Sequence, residues 1–171
     1  MTLSGTQQRF IEQWGSMGTR WGISRSTAMV HGYLYLCEGG VTADDICEAL
    51  GLARSNVSTS LRELMDYKLV YKESVLGERK SLYRAETDVW EMGRAIVEER
   101  RKRETEGAVR AVNECLESAL EEGDAHTISR MKAMQEAFTD LDIFAAVISK
   151  QRTSVLKKAV HMVSKLLSFI K

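Results

Sequence analysis

The chain has 171 residues, 44% of them hydrophobic and 28% charged, which is the composition of a globular protein with one domain or one small domain and an appendage. Its 24 basic and 24 acidic residues give a formal net charge of zero, which excludes a globally basic nucleic-acid coat protein but allows a local basic face. The sequence contains no proline, and this favours a mostly helical chain because proline breaks helices.

No part of the sequence predicts a membrane span or a signal peptide. The apolar runs stay well below the roughly 18 residues of a span, and residues 1–8 lack the basic start and apolar core of a signal. The cysteines and histidines show no metal-ligand spacing and no disulfide pattern; they are Cys37, Cys47, Cys115, His31, His126 and His161. The three widely spaced cysteines favour a reducing, cytoplasmic compartment. Because a phosphate loop and a nucleophile elbow are also absent from the sequence, we expect a protein that is not an enzyme and uses no metal or cofactor.

The first part of the chain predicts two helices. Residues 6–18 form a short helix with an apolar edge, and residues 26–37 form a nearly continuously apolar, buried helix. Ser24 can cap the second helix by accepting a hydrogen bond from its first turn. The pair Gly39-Gly40 ends that helix.

A helix-turn-helix is predicted from residue 42 onward. Thr42 and Asp45 form an approximate capping box at the start of one helix, and Gly51 ends it. A second helix begins within a few residues, because apolar side chains recur at helical spacing through Tyr67. The apolar stripes of the two helices must face each other at a steep crossing angle, which is the helix-turn-helix pattern.

Two predicted strands follow and complete a winged helix-turn-helix. Residues 69–75 and 80–84 are rich in strand formers and flank a turn at Gly77-Glu78. We therefore predict a mostly α fold, in which a winged helix-turn-helix domain with a small two-stranded β-wing occupies residues 1–87. Long C-terminal helices that form a dimerisation region, with a possible effector site, occupy residues 88–171.

The C-terminal region is predicted to pair two copies of the chain. A helix begins at Asp88, continues through a charged stretch at residues 98–106 and allows a kink at Gly107. From residue 128 to 148 apolar side chains follow the 3,4 spacing of helices that pack lengthwise on other helices. Such helices would hold two DNA-reading heads at half-sites about 34 Å apart on a palindromic operator. A bundle within one chain is the alternative.

The last predicted helix is basic. From residue 143 to 171 there is no acid, whereas six cations occur. We interpret it as a dimer-stabilising helix with a solvated basic face. An extra contact with DNA, a contact with the acidic run 114–124 of a neighbour, and association with a membrane surface are the alternatives.

The second helix of the helix-turn-helix carries the candidate DNA contacts. Its outward positions are small, polar or basic, and no acid occurs between residues 54 and 62. Small polar side chains let a helix lie deep in a major groove, where Arg suits guanine and Asn suits adenine, while Ser and Thr suit phosphates. A basic wing tip reaches phosphates or a minor groove. The predicted DNA-binding residues are Arg54, Ser55, Asn56, Ser58, Thr59, Arg62, Arg79 and Lys80. The alternative is a solvated helix face on a winged-helix module that binds only proteins.

Three motifs, in order along residues 21–104, resemble the GbsR/MarR group of bacterial and archaeal transcriptional regulators. They are Gly-Leu-Ala-Arg-Ser-Asn-Val-Ser-Thr-Ser-Leu-Arg-Glu-Leu at 51–64, Gly-Glu-Arg-Lys at 77–80 and Tyr-Arg-Ala-Glu-Thr-Asp-Val-Trp at 83–90. The resemblance implies a homodimeric repressor or activator whose DNA affinity is set by a small molecule. The chain departs from the group at Lys68, where the group tends to have glycine; a positive φ there would cost about 1 kcal/mol.

An effector site is also implied, because some members of that group resemble sensors of choline and related osmoprotectants. A cage of aromatic rings binds quaternary ammonium ions by cation–π attraction. The candidate cage residues are Trp14, Trp21, Tyr33 and Trp90. Packing anchors are the alternative role for these rings. A redox-sensing cysteine is disfavoured at Cys47, because its neighbour Glu48 is an acid and such a thiol needs a cationic setting.

Overall fold

A computed structural model describes residues 3–74 and 80–169. The chain separates into two compact units, Met1–Met92 and Gly93–Lys171, which are described in turn. The predicted boundary at residue 87 stays a prediction. The elements are α1 (Gly5–Arg20), α2 (Arg25–Leu36), β1 (Val41–Thr42), α3 (Ala43–Leu50), α4 (Arg54–Asp66), β2 (Val70–Ser74), β3 (Ser81–Ala85), α5 (Val89–Arg100), a π-helical segment (Arg101–Thr105), α6 (Glu106–Glu122), α7 (Ala125–Lys150) and α8 (Thr153–Phe169).

Helices α1 and α2 pack closely because glycines line their contact. A Cβ at Gly18 would overlap that of Ala28, and a Cβ at Gly15 would lie 2.7 Å from Cγ of Met29. The sequence predicted a helix that ends at residue 18, but α1 continues to Arg20, and Gly18 lies in the contact with α2. Ser24 caps α2 as predicted, accepting a 3.0 Å hydrogen bond from the backbone N–H of Thr27.

The predicted helix-turn-helix is formed by α3 and α4. The capping box is present, since the Asp45 N–H donates to Thr42 Oγ1 and the Thr42 N–H donates to Asp45 Oδ2. Gly51 ends α3 in the left-handed region at φ 63°. The buried side chains at this level come from both helices, from the residue that precedes β2 and from the start of β2: Ile46, Val57, Leu61, Leu64, Leu69 and Val70.

The wing consists of β2 and β3, which pair antiparallel from Val70 opposite Ala85 to Ser74 opposite Ser81. The two-stranded wing is confirmed, but the sheet has a third strand. The two residues of β1 pair with β3 on its other edge, giving the order β1-β3-β2. The sequence did not reveal β1 because Thr42 also serves as the N-cap of α3. The predicted turn at Gly77-Glu78 and the end of the first predicted strand at Val75 lie outside the described residues.

Helix α4 ends with a positive-φ residue that is not glycine. Lys68 has φ 57°, the one such residue in the part of the chain that the structure describes. The Leu69 N–H donates to the Leu64 carbonyl and the Lys68 N–H to the Met65 carbonyl, both at 2.9 Å. This is the Schellman arrangement, in which glycine is the usual residue at the position of Lys68. Lys68 therefore adopts the positive φ whose cost, about 1 kcal/mol for a residue other than glycine, the sequence analysis gave.

The second unit is helical throughout its described residues. Its one irregularity, the π-helical segment, lies between α5 and α6 rather than at Gly107. Arg101, at the start of that segment, contacts three carboxylates: Glu98 at 3.2 Å, Glu106 at 3.1 Å and Asp142 at 3.0 Å. Hydrogen bonds from Arg101 lower the pKa of Glu98 to about 2. The Arg101 side chain thereby joins the first helix of the unit to α7.

Helices α6 and α7 form an antiparallel pair joined by a turn at Gly123 (φ 75°) and Asp124. Gln135 donates a 2.7 Å hydrogen bond to Asn113 across the pair. Most side chains of the predicted apolar stripe on α7 are half-buried, so part of this stripe packs within the chain. No residue of α7 is fully buried. In the described ranges, no helix has both the length and the apolarity that a membrane crossing requires.

Candidate nucleic-acid interface

Helix α4 turns one side into the core and leaves the other in solvent. Val57, Leu61 and Leu64 are at most 3% exposed. Every predicted contact residue on this helix is exposed: Arg54, Ser55, Asn56, Ser58, Thr59 and Arg62. The N-cap residue Ala53 offers no side-chain acceptor, so the first N–H groups of α4 are not capped by a side chain. The exposed side of α4 thus presents donors and cations together, as expected for a helix that reads DNA; contact with DNA stays a prediction.

A buried polar cluster fixes α4 against α2, and the sequence analysis missed it. Thr27 Oγ1, on α2, lies 3.2 Å from Ser60 Oγ and donates a 2.8 Å hydrogen bond to Glu63. Thr27 and Ser60 are each 1% exposed. Ser60 is three residues after Val57 and one before Leu61, so helical spacing could have predicted its burial. The cluster holds the first acid of α4 on the side that faces α2.

Two predicted DNA-binding cations share one carboxylate. Arg54, the first residue of α4, pairs with Asp44 in the first turn of α3, and Lys80 Nζ lies 3.1 Å from the other oxygen of Asp44. This shared carboxylate was not predicted from the sequence, because Asp44 is ten residues from Arg54 and on a different element from Lys80. The neighbouring Asp45 serves the capping box instead, and hydrogen bonds from Thr42 lower its pKa.

The wing contributes charge at its base in the described residues. Lys80 immediately precedes β3. The predicted contact Arg79 lies outside the described residues. Arg84 donates a 2.9 Å hydrogen bond to Glu73 across the β2–β3 pair, so its charge is balanced within the wing. Of the two predicted wing contacts, Arg79 and Lys80, only Lys80 lies among the described residues.

The four candidate cage residues are not gathered in one ring cluster. Trp14 and Trp21 meet edge-to-face with centroids 6.1 Å apart. Tyr33 is a core residue, 1% exposed, and burial raises its pKa to about 12. Trp90 lies half-buried in the first turn of α5. Two of the four, Trp14 and Trp21, are thus in ring contact.

Other aromatic residues surround Trp14 instead. Its indole stacks on Phe10 at 5.6 Å and its Nε1–H donates a 3.1 Å hydrogen bond to His31 Nδ1. His31 is 5% exposed, and burial lowers its pKa to about 4. Its Nε2 is buried without a hydrogen-bond partner among the described residues. The imidazole is therefore neutral at physiological pH and belongs to the packing between α1 and α2.

The structure shows no metal site in its described ranges, since no group of three His, Cys, Asp or Glu side chains is placed to hold an ion. Cys37 and Cys47 are half-buried, and Cys115 is exposed. Burial raises the pKa of Cys37, which disfavours its reactive thiolate form.

A helix-turn-helix followed by an antiparallel wing, with an exposed polar second helix, defines the winged-helix class of domains. Residues 20–87 match the family model described as "Sugar-specific transcriptional regulator TrmB". A curated relative from Bacillus subtilis (strain 168), described as "Putative HTH-type transcriptional regulator YvaV", is 27% identical over 85 residues. That match spans 50% of this chain and 48% of the relative, so the chain covers about half of the relative's length.

Among solved structures, a chain described as "Crystal Structure of a transcriptional regulator" has a TM-score of 0.66 at 18% identity, covering 82% of this chain and 93% of its own. At this identity the likeness concerns the fold, and it confirms the predicted mostly helical winged-helix architecture. The MepR structure of S. aureus in its DNA-binding conformation aligns with a TM-score of 0.39 at 18% identity, covering 97% and 93%, and no conclusion rests on it. Membership of the GbsR/MarR group stays a prediction.

Proposed function

We propose that this protein is a sequence-specific regulator of transcription that binds double-stranded DNA as a homodimer. It would act in the cytoplasm on a palindromic operator. The observation that carries the proposal is the exposed side of α4 over residues 54–62, which presents two arginines, an asparagine and three hydroxyl side chains without an acid. The matches to proteins described as transcriptional regulators support it.

The chemistry of this side fits the edges of base pairs. Asn56 and Arg62 are two turns of helix apart at most, both are exposed, and each can make a bidentate contact, with adenine and guanine respectively. The buried cluster of Thr27, Ser60 and Glu63 fixes the helix from behind. A reading helix that is held rigidly keeps its side chains in register with the bases.

The test begins with selection of bound sequences from a random pool of DNA duplexes. Enrichment of an inverted repeat with half-site centres about one helical turn apart is the expected result. Asn56→Ala and Arg62→Ala should each weaken binding to the selected sequence by roughly 1–3 kcal/mol. Arg9→Ala, which removes an exposed cation from α1, is the matched control and should change affinity little. If no sequence is enriched and the α4 variants bind as the parent does, the winged helix serves protein contacts instead.

The homodimer is proposed from the exposed apolar residues of α7. Leu141, Ile143, Phe144 and Val147 are each more than half exposed within the single chain. Contiguous apolar surface of this kind marks an interaction site in soluble proteins. Sedimentation at micromolar concentration should show a dimer, and Phe144→Asp should shift it to monomer. A monomeric parent protein would contradict this part.

A small-molecule effector is proposed as the signal that changes DNA affinity. Trp14 and Trp21 supply two adjoining rings, with Trp21 49% exposed. Titration with choline and glycine betaine should alter tryptophan fluorescence and operator affinity together. Because the matched family model is described as sugar-specific, a set of sugars belongs in the same titration. A compound that changes neither signal is not the effector.

A further inference from the structure

Asp44 links three parts of the candidate DNA-binding surface. It lies in the first turn of α3, pairs with Arg54 at the start of α4, and pairs with Lys80 at the base of the wing. Both cations are predicted DNA contacts. One carboxylate therefore holds two positive charges that the proposed function assigns to DNA.

We propose that Asp44 is a positioning residue that holds Arg54 and Lys80 in the free protein, yields them to the DNA backbone on binding, and so lowers affinity for DNA of any sequence. This inference rests on the proposed function. Non-specific binding is driven by the phosphates that a protein's cations neutralise. A carboxylate that competes for two such cations weakens this component, while base contacts by Asn56 and Arg62 are left intact.

The exposure of the three side chains makes the exchange feasible. Arg54, Asp44 and Lys80 are 61%, 56% and 63% exposed. Solvent-exposed ion pairs are individually weak because water and salt screen them. A phosphate, with more acceptor oxygens than a carboxylate, can therefore displace Asp44 at small cost.

The other acids of α3 provide the contrast. Asp45 is occupied by the capping box with Thr42. Glu48 is exposed one turn further along, and among the described residues it forms no ion pair. Removing the charge of Glu48 changes the net charge of α3 as much as removing that of Asp44 but releases neither cation. Comparing the two positions therefore distinguishes the effect of releasing Arg54 and Lys80 from the general effect of removing one negative charge.

The experiment compares Asp44→Asn with Glu48→Gln in the full-length protein. Binding to a labelled random-sequence duplex of roughly 30 base pairs is measured from about 50 to 200 mM salt. Asp44→Asn should tighten binding by about 2- to 30-fold at the lowest salt, because each of two exposed pairs is worth a factor of about 1.4 to 5. The slope of log affinity against log salt should stay nearly the same, because Arg54 and Lys80 contact phosphates in both complexes. Glu48→Gln should change the affinity much less.

Two further variants show whether the effect acts through the two cations. In an Arg54→Gln, Lys80→Gln background, Asp44→Asn should alter the affinity for the duplex no more than Glu48→Gln does. Equal effects of Asp44→Asn and Glu48→Gln, or weaker binding by Asp44→Asn, would overturn the inference. Thermal melts of all variants check that folding is retained.

The outcomes also separate this inference from the proposed function. If Arg62→Ala weakens operator binding while Asp44→Asn behaves like Glu48→Gln, the inference falls and the regulator function stands. If neither the parent protein nor any variant binds DNA, both fall.

Discussion

Replacing Lys68 by glycine should stabilise the protein. An L-residue in the left-handed region costs about 1–2 kcal/mol, which glycine avoids. Glycine also makes the unfolded chain more flexible, which lowers the free energy of unfolding by about 0.4–1 kcal/mol. Lys68 is exposed at the end of α4, so its side chain contributes no buried contact that would be lost. The net expectation is a gain of about 0.5–1 kcal/mol.

Urea unfolding followed by circular dichroism measures this gain. For a slope of about 2 kcal/mol/M, the midpoint should rise by roughly 0.3–0.5 M. Lys68→Ala is the matched control, because it removes the same charge but keeps the Cβ that makes the backbone conformation costly. If Lys68→Ala raises the midpoint as much as Lys68→Gly, the gain comes from the side chain and the argument from φ is wrong.

Three further predictions concern polar side chains that join one helix to another. Thr27→Val should cost about 2–3 kcal/mol in urea unfolding, because it keeps the shape of the side chain but leaves Ser60 buried without its hydrogen bond. Arg101→Met should destabilise the protein at neutral pH, because it removes the ion pairs with Glu98, Glu106 and Asp142. This difference should shrink below pH 4.5 and vanish toward pH 2, because the low pKa of Glu98 contributes stability only while that carboxylate is charged. The parent protein should lose stability as the pH falls from 6.5 to about 4, because His31 takes up a proton in the unfolded state but, with its pKa lowered by burial, not in the folded state. His31→Phe should make the free energy of unfolding less dependent on pH in this range.

The features predicted correctly from the sequence are those set by neighbouring residues. The caps at Ser24 and Thr42, the left-handed Gly51 and the exposed side of α4 each depend on a few consecutive positions. Backbone hydrogen bonding and helical spacing fix such features whatever the rest of the chain does.

The features that were missed depend on residues far apart in sequence. Thr27 meets Ser60 across 33 positions, and Asp44 meets Lys80 only because the wing folds back beside α3. Strand β1 consists of two residues, too few to show a period of two, and exists because β3 offers it an edge. Residues 98–106 show no pattern that predicts the π-helical segment, because their charges would suit a regular α-helix equally well.

The glycines between α1 and α2 have a mechanical consequence. At Gly18 and Gly15 the backbone of α1 contacts side chains of α2 so closely that there is no room for a Cβ atom. Thr27, in the first turn of α2, forms a hydrogen bond with Ser60 of α4. Helix α2 therefore contacts α1 on one side and α4 on another, so a substitution that moves α1 at Gly15 or Gly18 must also displace the helix that holds Thr27 against Ser60.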